Sequence, residues 1–455
     1  MQADLHAQTA DNDGPISDDE LARRFTERHG DDFRHVATLG RWFKWSGCHW
    51  KQDDSLAVFD AARASCRRDL GQALVDLEKP HERKQLRSKL GAAPTVAAVE
   101  RLARSDRRHA VTIDALDADP WLLNTPGGLL DLRTGTVRPS NPSDLITKIT
   151  AAAPMPDCPT FQRVLERALP DLEVREYVQR LIGYCISGEV REHIVALCYG
   201  AGGNGKSIIL NAVRYALGDY GVTLGSEVLL ESHNDRHPTE IAVLRGARLA
   251  LCSEVDSGRR WNEARLKRLS GGDPITARLI CRDPFEFQPS HKLIMLANAK
   301  QGLRTVDEAI RRRIQMIEFN QTIPPDQRDP TVPEKLKAEA GGILTWALVG
   351  CLDWQDGGLR PPQAVLDATD RYLDQQDTVA EWMRDCCRAI GEESLTTLHG
   401  SYREWCKANG IAEAGRNTFG DQLEARGIRR VEIRAKVSRF VGISVAPRAA
   451  ARHAG

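Results

Sequence analysis

The stretch YGAGGNGKSIILNAV, Tyr199–Val213, decides the fold of this chain. It fills the pattern GxxxxGK[ST] between Gly200 and Ser207. In such a loop, glycines let backbone N–H groups point inward and cradle phosphates. Lys206 then reaches the β- and γ-phosphates, and the Ser207 hydroxyl holds Mg²⁺. The stretch therefore predicts a nucleoside triphosphate site.

The flanking sequence supports this interpretation. HIVALCY, His193–Tyr199, is an apolar run typical of a buried strand, and the following SIILNAVRYAL has apolar residues at helical spacing. Strand, loop and helix come in the order that a phosphate site requires, and a helix N-terminus itself attracts anions. A glycine-rich turn without a ligand is the alternative. The predicted cradle consists of Gly200, Ala201, Gly202, Gly203, Asn204, Gly205, Lys206 and Ser207.

Composition limits the other possibilities. A chain of 455 residues is too long for one core, so two to four domains are expected. The 63 Lys and Arg residues equal the 63 Asp and Glu residues, so net charge argues neither for nor against nucleic acid. No apolar run approaches the ~20 residues of a membrane span. Residues 1–20 are acidic and polar, which predicts a disordered tail rather than a signal peptide.

The cysteines and histidines predict no metal besides Mg²⁺. The eleven cysteines include no CxxC pair, and such an odd, scattered set is typical of reduced thiols rather than of disulfides or a zinc site. The twelve histidines show no HExxH spacing. Both observations favour a cytoplasmic protein.

Residues 21–190 are predicted to form an N-terminal region of helices and hairpins. The aromatic patch RWFKWSGCHW, Arg41–Trp50, indicates a strand-turn-strand unit with tryptophans in its core, and a base-stacking platform is the alternative. Glycine and proline interrupt Trp121–Pro139, which indicates hairpins. The tryptophans of the aromatic patch are Trp42, Trp45 and Trp50. Residues 160–190 are predicted to be helical.

The rest of the chain divides into three predicted parts. Residues 191–325 alternate between strand and helix patterns, which indicates an α/β core. Residues 326–378 contain a predicted helical lid at 333–354 and a linker helix at 361–376. Residues 379–455 form a last small domain.

Polar side chains end two further apolar runs. ARLALCSEVD, Ala247–Asp256, ends in acids, and a carboxylate beside the loop can hold Mg²⁺ or its water and polarise the attacking water. Glu254 is the first candidate and Asp256 the second, although either acid could simply end a strand. HKLIMLANAK reaches Asn298, whose amide would sense the γ-phosphate or position water; an ordinary turn asparagine is the alternative.

Three consecutive arginines precede the next apolar run, in DEAIRRRIQMIEF, Asp307–Phe319. Three adjacent guanidinium groups are not all buried within one subunit. They form either a solvated face or an arginine finger that reaches the nucleotide of a neighbouring subunit. The three residues are Arg311, Arg312 and Arg313.

In this order the motifs resemble the superfamily 3 helicases. They are most similar to the phage and plasmid primase–helicase family, which includes satellite-phage and poxvirus replication proteins. The resemblance is carried by GAGGNGKS, ALCSEVD, the stretch around GGDPITAR, LIMLANA and DEAIRRRI. Upstream, LGRWFKWSGCHW, DADPWLLNTPGGLLDLRTGTVRP and LIGYCISGEVRE are similar to the region that precedes the ATPase in that family. The likeness covers roughly residues 30–325.

The resemblance implies an AAA+-type ATPase that uses ATP and Mg²⁺, forms a ring, usually a hexamer, and translocates on single-stranded DNA. Lys206 then matches the phosphate-loop lysine, Glu254 the catalytic acid at the metal, and Asn298 the sensor. Arg312 and Arg313 match the arginine pair that ends the core. Arg311 replaces a frequent tryptophan, which leaves open which arginine is the finger.

Many members of that family also carry a primase domain before the helicase. Here about thirty residues precede the matching region, too few for a polymerase fold. We therefore expect that this chain makes no primers and that a separate primase is a possible partner. The resemblance also places the protein in the cytoplasm of a bacterial host.

Two segments are predicted to contact DNA. PITARLICRDPFEFQPSHK, Pro274–Lys292, indicates a hairpin that would project into the channel of a ring, where basic side chains grip phosphates. Its candidates are Arg278 and Arg282, with Lys267 and Arg268 on the preceding helix. Ordinary exposed surface is the alternative.

The second segment is the C-terminus. Residues 395–410 and 416–427 predict two helices, and two alternating runs follow; together they indicate a winged helix that binds replication-origin duplex DNA. Residues 421–455 carry eight Lys or Arg and three Asp or Glu residues. A small packing domain with a solvated basic face is the alternative. The candidate contacts are Arg416, Asn417, Arg429, Arg430, Arg434, Lys436 and Arg439.

The sequence thus predicts an α/β protein in which a helical and β collar region precedes an AAA+ P-loop core and a winged helix. The predicted function is that of an ATP-dependent DNA helicase in phage, prophage or plasmid replication. Two alternatives stay open. One is a nucleic-acid-stimulated ATPase that loads or remodels other proteins, and the other is an origin-binding initiator whose ATP site is an assembly switch.

Overall fold

The computed structural model describes residues 17–75, 77–231, 238–252, 260–278, 283–303, 306–409, 413–433 and 437–446. These residues form two compact units. The first holds the described residues up to Leu130 together with Thr136–Thr150, and the second holds Asp131–Gly135 and the described residues from Ala151 onward. This boundary near residue 150 differs from the sequence-based one at 190, because the helices at 160–190 pack within the second unit.

The first unit combines helices with two three-stranded sheets. Helix α1 begins where the Ser17 side chain accepts a hydrogen bond from the Glu20 N–H at 3.1 Å, and acids in its first turn favour the positive end of the helix dipole. Strands β1–β3 and strands β4–β6 each form a sheet in chain order. The elements are α1 Asp18–His29, β1 Phe33–Val36, β2 Arg41–Trp45, β3 Trp50–Gln52, α2 Ala57–Val75, α3 Pro80–Leu90, α4 Ala93–Ala103, β4 Leu122–Thr125, β5 Gly128–Asp131 and β6 Thr136–Arg138.

The tryptophans of the aromatic patch are mostly core residues. Trp50 is fully buried and its Nε1 donates to the carbonyl of Pro142 at 2.8 Å. Trp42 is also buried and its Nε1 donates to the carboxylate of Glu100. Trp45 is half-buried, with its ring centre 5.4 Å from that of Trp50. The β2–β3 hairpin confirms the predicted strand-turn-strand unit, and the base-stacking alternative is wrong for Trp42 and Trp50, because neither ring is open to a base.

A parallel sheet forms the centre of the second unit. Its described strands lie in the order β13–β7–β12–β9–β8, and each pairs parallel with its neighbour. The two central strands, β7 and β12, are continuous apolar runs, as expected for strands buried on both faces. All carboxyl ends meet at one edge, where open parallel sheets bind ligands. The elements are α5 Pro159–Ala168, α6 Leu172–Ile186, β7 Val195–Tyr199, α7 Lys206–Ala216, β8 Gly221–Leu224, β9 Leu249–Cys252, α8 Glu263–Ser270, β10 Ile275–Arg278, β11 Pro284–Phe287, β12 Lys292–Ala297, α9 Glu308–Arg311 and β13 Ile314–Glu318.

Three helices follow the sheet and confirm the helices predicted at 333–354 and 361–376. They are α10 Val332–Ala338, α11 Ala340–Gly357 and α12 Gln363–Gln376. Helix α11 packs along α6, where Arg180 pairs with Asp353 at 3.1 Å. Helix α12 lies beside the edge strand β13, where the Thr369 hydroxyl accepts a hydrogen bond from the Met316 N–H at 2.9 Å.

The C-terminal residues fold around an aromatic core of their own. The predicted pair of helices and the hairpin after them are confirmed as α14, α15, β16 and β17, whereas α13 and β15 were not predicted. The elements are α13 Thr378–Cys386, β14 Cys387–Arg388, β15 Glu392–Ser394, α14 Leu395–Ala408, α15 Arg416–Ala425, β16 Arg429–Ile433, β17 Val437–Val441 and β18 Ser444–Val445. The core contains Trp382, Tyr402, Phe419, Leu423 and Phe440. In the described part of the chain, no helix has the length and apolar character to cross a membrane.

Candidate nucleotide-binding site

The glycine loop joins the end of β7 to the start of α7 at the carboxyl edge of the sheet. The backbone approaches so closely at Gly200 that a Cβ atom there would lie 2.3 Å from the carbonyl oxygen of Phe319. Gly203 has a φ of +79°, a conformation that other L-residues rarely adopt. Both positions therefore require glycine for the loop to take this shape.

Lys206 is the first residue of α7 and is 2% exposed. Its Nζ donates to the carbonyl oxygen of Gly200 at 2.9 Å and to the side-chain oxygen of Asn298. Asn298 directly follows β12, the strand beside β7. The structure thus brings together two predicted site residues that are far apart in sequence. Hydrogen bonds from an ammonium to neutral oxygens such as these can be exchanged for bonds to phosphate oxygens, because hydrogen bonds between charged partners are stronger.

The loop is fastened to the segment that follows β13, a feature that the sequence did not reveal. Asn204 is buried, and its Nδ2 donates to the carbonyl of Phe319 at 2.8 Å. The Ile323 N–H donates to the carbonyl of Gly203 at 2.8 Å. The loop is therefore held in its cradle shape by two hydrogen bonds to residues more than a hundred positions away.

The predicted metal and catalytic acids are only partly covered by the structure. Glu254 and Asp256 lie outside the described residues; β9, which precedes them, ends at Cys252 beside β12. Ser207 is half-buried in the first turn of α7. No group of three or more His, Cys, Asp or Glu side chains in the described residues could hold a metal ion.

A cavity of about 460 Å³ opens beside the loop. Its lining includes Gly203 and Gly205 of the loop but neither Lys206 nor Asn298. Ile208, just after the loop, is 37% exposed to it. The apolar walls come from Val164, Ile208, Ile323, Val332 and Pro333, and the cations from Arg163, Arg167, Arg328 and Lys335. A cavity of this volume with apolar walls suits a nucleobase and its ribose.

The three consecutive arginines have different surroundings. Arg311 pairs with two acids of α12, Asp370 at 3.3 Å and Asp374 at 3.2 Å. Arg313 is half-buried and donates to the carbonyl of Ala309 at 2.9 Å. Arg312 is exposed, and its side chain makes no hydrogen bond or ion pair with the described residues. Of the three guanidinium groups, that of Arg312 is therefore the one available to another molecule.

The predicted channel hairpin exists as the antiparallel pair β10–β11. Arg278 ends β10 and is exposed, whereas Arg282 lies outside the described residues. On α8, Arg268 is exposed, but Lys267 forms an ion pair with Asp307. That pair fastens α8 to the start of α9 and gives Lys267 a structural partner within the chain.

The candidate DNA contacts in the C-terminal residues also differ in whether they have a polar partner within the chain. Arg416 donates to the Thr396 hydroxyl at 2.8 Å and Arg430 to the Ser438 hydroxyl at 2.9 Å. Arg439 lies 3.6 Å from the carboxylate of Glu392. The side chain of Arg429 is exposed and has no polar partner among the described residues. Asn417 is exposed in the first turn of α15, and Arg434 and Lys436 lie outside the described residues.

Comparison with known proteins supports the family resemblance drawn from the motifs. A profile described as "D5 N terminal like" matches residues 22–170, and a profile for a family of unknown function matches residues 198–313. A putative helicase of Acanthamoeba polyphaga mimivirus is 27% identical over 323 residues. A putative primase of African swine fever virus is 24% identical over 336 residues, and a putative helicase of Sputnik virophage is 25% identical over 142 residues. Together these matches support the resemblance to the phage-type primase–helicase family.

These primase–helicase relatives are longer than this chain. The match covers 65% of this chain and 34% of the mimivirus protein, and 66% of this chain and 35% of the African swine fever virus protein. For the virophage protein the shares are 30% and 18%. The chain thus spans about a third of the length of the first two relatives.

Solved structures show the same fold at much lower identity. An apo structure of the C-terminal region of NrS-1 has a TM-score of 0.50 and 10% identity, and the match covers 90% of this chain and 96% of that one. A second apo structure of that region also has a TM-score of 0.50, with 95% of this chain and 100% of that chain covered. At such identity the likeness concerns the fold alone.

Proposed function

We propose that this chain is the motor of an ATP-dependent DNA helicase of the superfamily 3 type, built on an AAA+ core and acting in replication. The observation that carries the proposal is the contact of the Lys206 ammonium with Gly200 and Asn298 at the carboxyl edge of a parallel sheet. The viral relatives named putative helicase support the same role.

The residues of the chain would act on ATP as follows. The loop N–H groups and Lys206 bind the phosphates, and Lys206 exchanges its contacts with Gly200 and Asn298 for contacts with phosphate oxygens. Ser207 would hold Mg²⁺, which neutralises charge on the phosphate oxygens. Glu254 accepts the proton of the attacking water, with Asp256 as the alternative acid, and Asn298 positions that water or the γ-phosphate. The base and ribose occupy the neighbouring cavity.

We infer that ATP is shared between subunits of a ring, for which a hexamer is the expected size. Arg312 supports this proposal, because its guanidinium is exposed and has no polar partner in the described residues. It would reach the γ-phosphate held by the next subunit and spread positive charge over the transition state. Arg311, which is tied to α12, would instead keep α9 in place.

DNA contact is proposed at two places. The β10–β11 hairpin, with Arg278 and Arg282, would grip the phosphates of single-stranded DNA in the channel. The C-terminal residues, with three helices and a hairpin, fit a winged helix that binds duplex DNA at a replication origin. The exposed Arg429 and Asn417 are its best placed contacts. A separate primase remains a proposed partner.

Strand displacement tests the function directly. The wild-type protein, with ATP and Mg²⁺, should displace the labelled strand of a forked duplex, whereas Lys206→Ala should not. Forks with a 3′ or a 5′ tail would give the polarity. Hydrolysis stimulated by single strands without displacement would favour the remodelling ATPase instead. Sequence-specific duplex binding with negligible turnover would favour an initiator, which the C-terminal fold makes the second candidate.

A further inference from the structure

An arginine from the segment that follows β13 lies directly on the phosphate loop. One terminal nitrogen of Arg328 lies 2.3 Å from the position that a Cβ atom of Gly203 would occupy. Arg328 belongs to the segment between β13 and α10, downstream of every motif that indicated a nucleotide site. The absence of a side chain at Gly203 therefore leaves the space that this guanidinium fills.

Two hydrogen bonds fix Arg328 in this place. The Ile323 N–H donates to the carbonyl of Gly203 at 2.8 Å, and the Arg328 Nε donates to the carbonyl of Ile323 at 2.9 Å. The loop, the segment and the guanidinium are thus linked in a chain. Because Nε is used for anchoring, the two terminal nitrogens keep their N–H groups for another acceptor.

Of the three other cations that line the cavity, two have polar side-chain partners, and Arg163 has none among the described residues. Arg167 donates to the side-chain oxygen of Gln327, and Lys335 forms an ion pair with Asp329 at 2.7 Å. The side chain of Arg328 makes no ion pair with the described residues, and its one hydrogen bond there goes to the Ile323 carbonyl. A guanidinium held at a phosphate loop without a carboxylate is suited to an anionic ligand.

We propose that Arg328 binds the phosphate chain of the nucleotide within its own subunit, at the α- and β-phosphates. This rests on the proposed function, since it takes the site to be a nucleoside triphosphate site. Lys206 and Asn298 are placed for the β- and γ-phosphates, whereas Arg328 lines the cavity proposed for the base and ribose. Arg328 therefore contacts the part of the chain next to the nucleoside and holds ADP and ATP alike.

The proposal separates Arg328 from Arg312 in function. Arg312 would act on the γ-phosphate of a neighbouring subunit and so on turnover. Arg328 would act on affinity for both nucleotides and, through ADP, on product release. A bidentate guanidinium–phosphate contact is not reproduced by an ammonium, so lysine should replace Arg328 only in part.

Competition against a fluorescent ADP derivative tests the proposal. Adenosine, ADP and ATP would each displace the probe from wild-type protein, Arg328→Met and Arg328→Lys. Arg328→Met should weaken ADP and ATP binding about tenfold or more, as expected for loss of a charged hydrogen bond, and leave adenosine unchanged. Arg328→Lys should lie between the two. Arg403→Met is the matched control, because Arg403 is exposed on α14 and pairs with Glu413 within the C-terminal residues.

The outcomes distinguish this proposal from the proposed function. ADP and ATP affinities equal to wild type in Arg328→Met, with Lys206→Ala defective, would overturn the role of Arg328 and leave the nucleotide site standing. An equal loss of adenosine binding would overturn it too, because the side chain would then act as a cavity wall. Wild-type protein that binds none of the nucleotides would overturn both proposals. Thermal melting without nucleotide shows that each variant is folded.

Discussion

Two buried lysines lie at opposite edges of the same sheet and illustrate two uses of one side chain. Lys206 follows β7 at the carboxyl edge and is 2% exposed; Lys292 begins β12 at the amino edge and is 4% exposed. Lys206 is held by one loop carbonyl and by the amide of Asn298. Lys292 lies 4.9 Å from the ring centre of Tyr184. Its three acceptors are the backbone carbonyls of Ser187, Glu189 and Ser290.

The difference between the two sites is whether a ligand can replace the partners. The acceptors of Lys292 are main-chain oxygens just after α6 and just before β12, so the ammonium ties the helix to the sheet and has no exchangeable partner. Burial lowers the pKa of Lys292 to about 7. The partners of Lys206 are a loop carbonyl and a side chain, both at the edge where open sheets bind ligands. Burial alone therefore does not mark a functional cation.

The largest expected effect separates the two lysines by activity. Lys206→Ala should lower ATP turnover by ~10²-fold or more, because the transition state loses a preorganised charge. Lys292→Met should keep turnover close to wild type, since Lys292 lies at the other edge of the sheet. Steady-state ATPase assays of both variants give the comparison. Equal losses of turnover in the two variants would mean that the two lysines do not differ in their role in ATP turnover.

The next effect applies the same contrast to two neighbouring arginines. Arg312→Ala should reduce turnover by ~10³-fold, the range known for arginine fingers, while nucleotide binding stays near normal. Arg311→Ala, which breaks exposed pairs with Asp370 and Asp374, should have a much smaller effect. ATPase rates and nucleotide affinities of the two variants test this. A greater loss of turnover in Arg311→Ala than in Arg312→Ala would show that Arg312 is not the arginine finger.

A pH effect on stability should belong to Lys292. Its folded pKa of about 7 lies below the ordinary value of 10.5, so the unfolded state binds more protons between these values and stability rises with pH across that window. The rise should be on the order of 3 kcal/mol and be absent from Lys292→Met. Urea unfolding at pH 7 and pH 10 measures the change in the free energy of unfolding for wild type and for Lys292→Met. Subtracting one change from the other removes the contribution of groups that titrate equally in both proteins. Parallel pH profiles would show that the carbonyls keep Lys292 charged.

The smallest effect concerns duplex DNA. Arg429→Ala should weaken duplex binding several-fold and make its salt dependence shallower by about one unit, as expected when one phosphate contact is lost. Arg439→Ala should change binding less, because Arg439 lies beside Glu392. Filter-binding titrations at several salt concentrations would show both, with ATPase activity as the control. Identical salt slopes for wild type and Arg429→Ala would remove Arg429 from the interface.

The sequence was sufficient to predict the structure wherever a local pattern of residues determines it. The glycine loop needs a special backbone at Gly203, and β7 and β12 are apolar throughout apart from Lys292 at the start of β12. The same holds for α14 and α15, which glycines and apolar spacing delimit. These features depend on residues within one element, so they can be predicted without knowledge of the partners.

What the sequence did not reveal depends on contacts between distant residues. Asn204 bonds to Phe319 across 115 positions, and Arg328 reaches Gly203 from a segment with no recognisable motif. Arg311 could be separated from Arg312 only when the acids of α12 were placed beside it. The helices at 160–190 likewise join the second unit through contacts with α11 that no local pattern announces.

The most direct test of the shared-site motor is to mix two inactive proteins. Arg312→Ala supplies a sound phosphate loop, and Lys206→Ala supplies a sound finger. Tagged and untagged protein should first show that subunits exchange. If the finger acts between subunits, the mixture should recover part of the ATPase activity, because some interfaces then pair one intact half with the other. Subunit exchange without any recovered activity would contradict the account, since Arg312 would then act within its own chain.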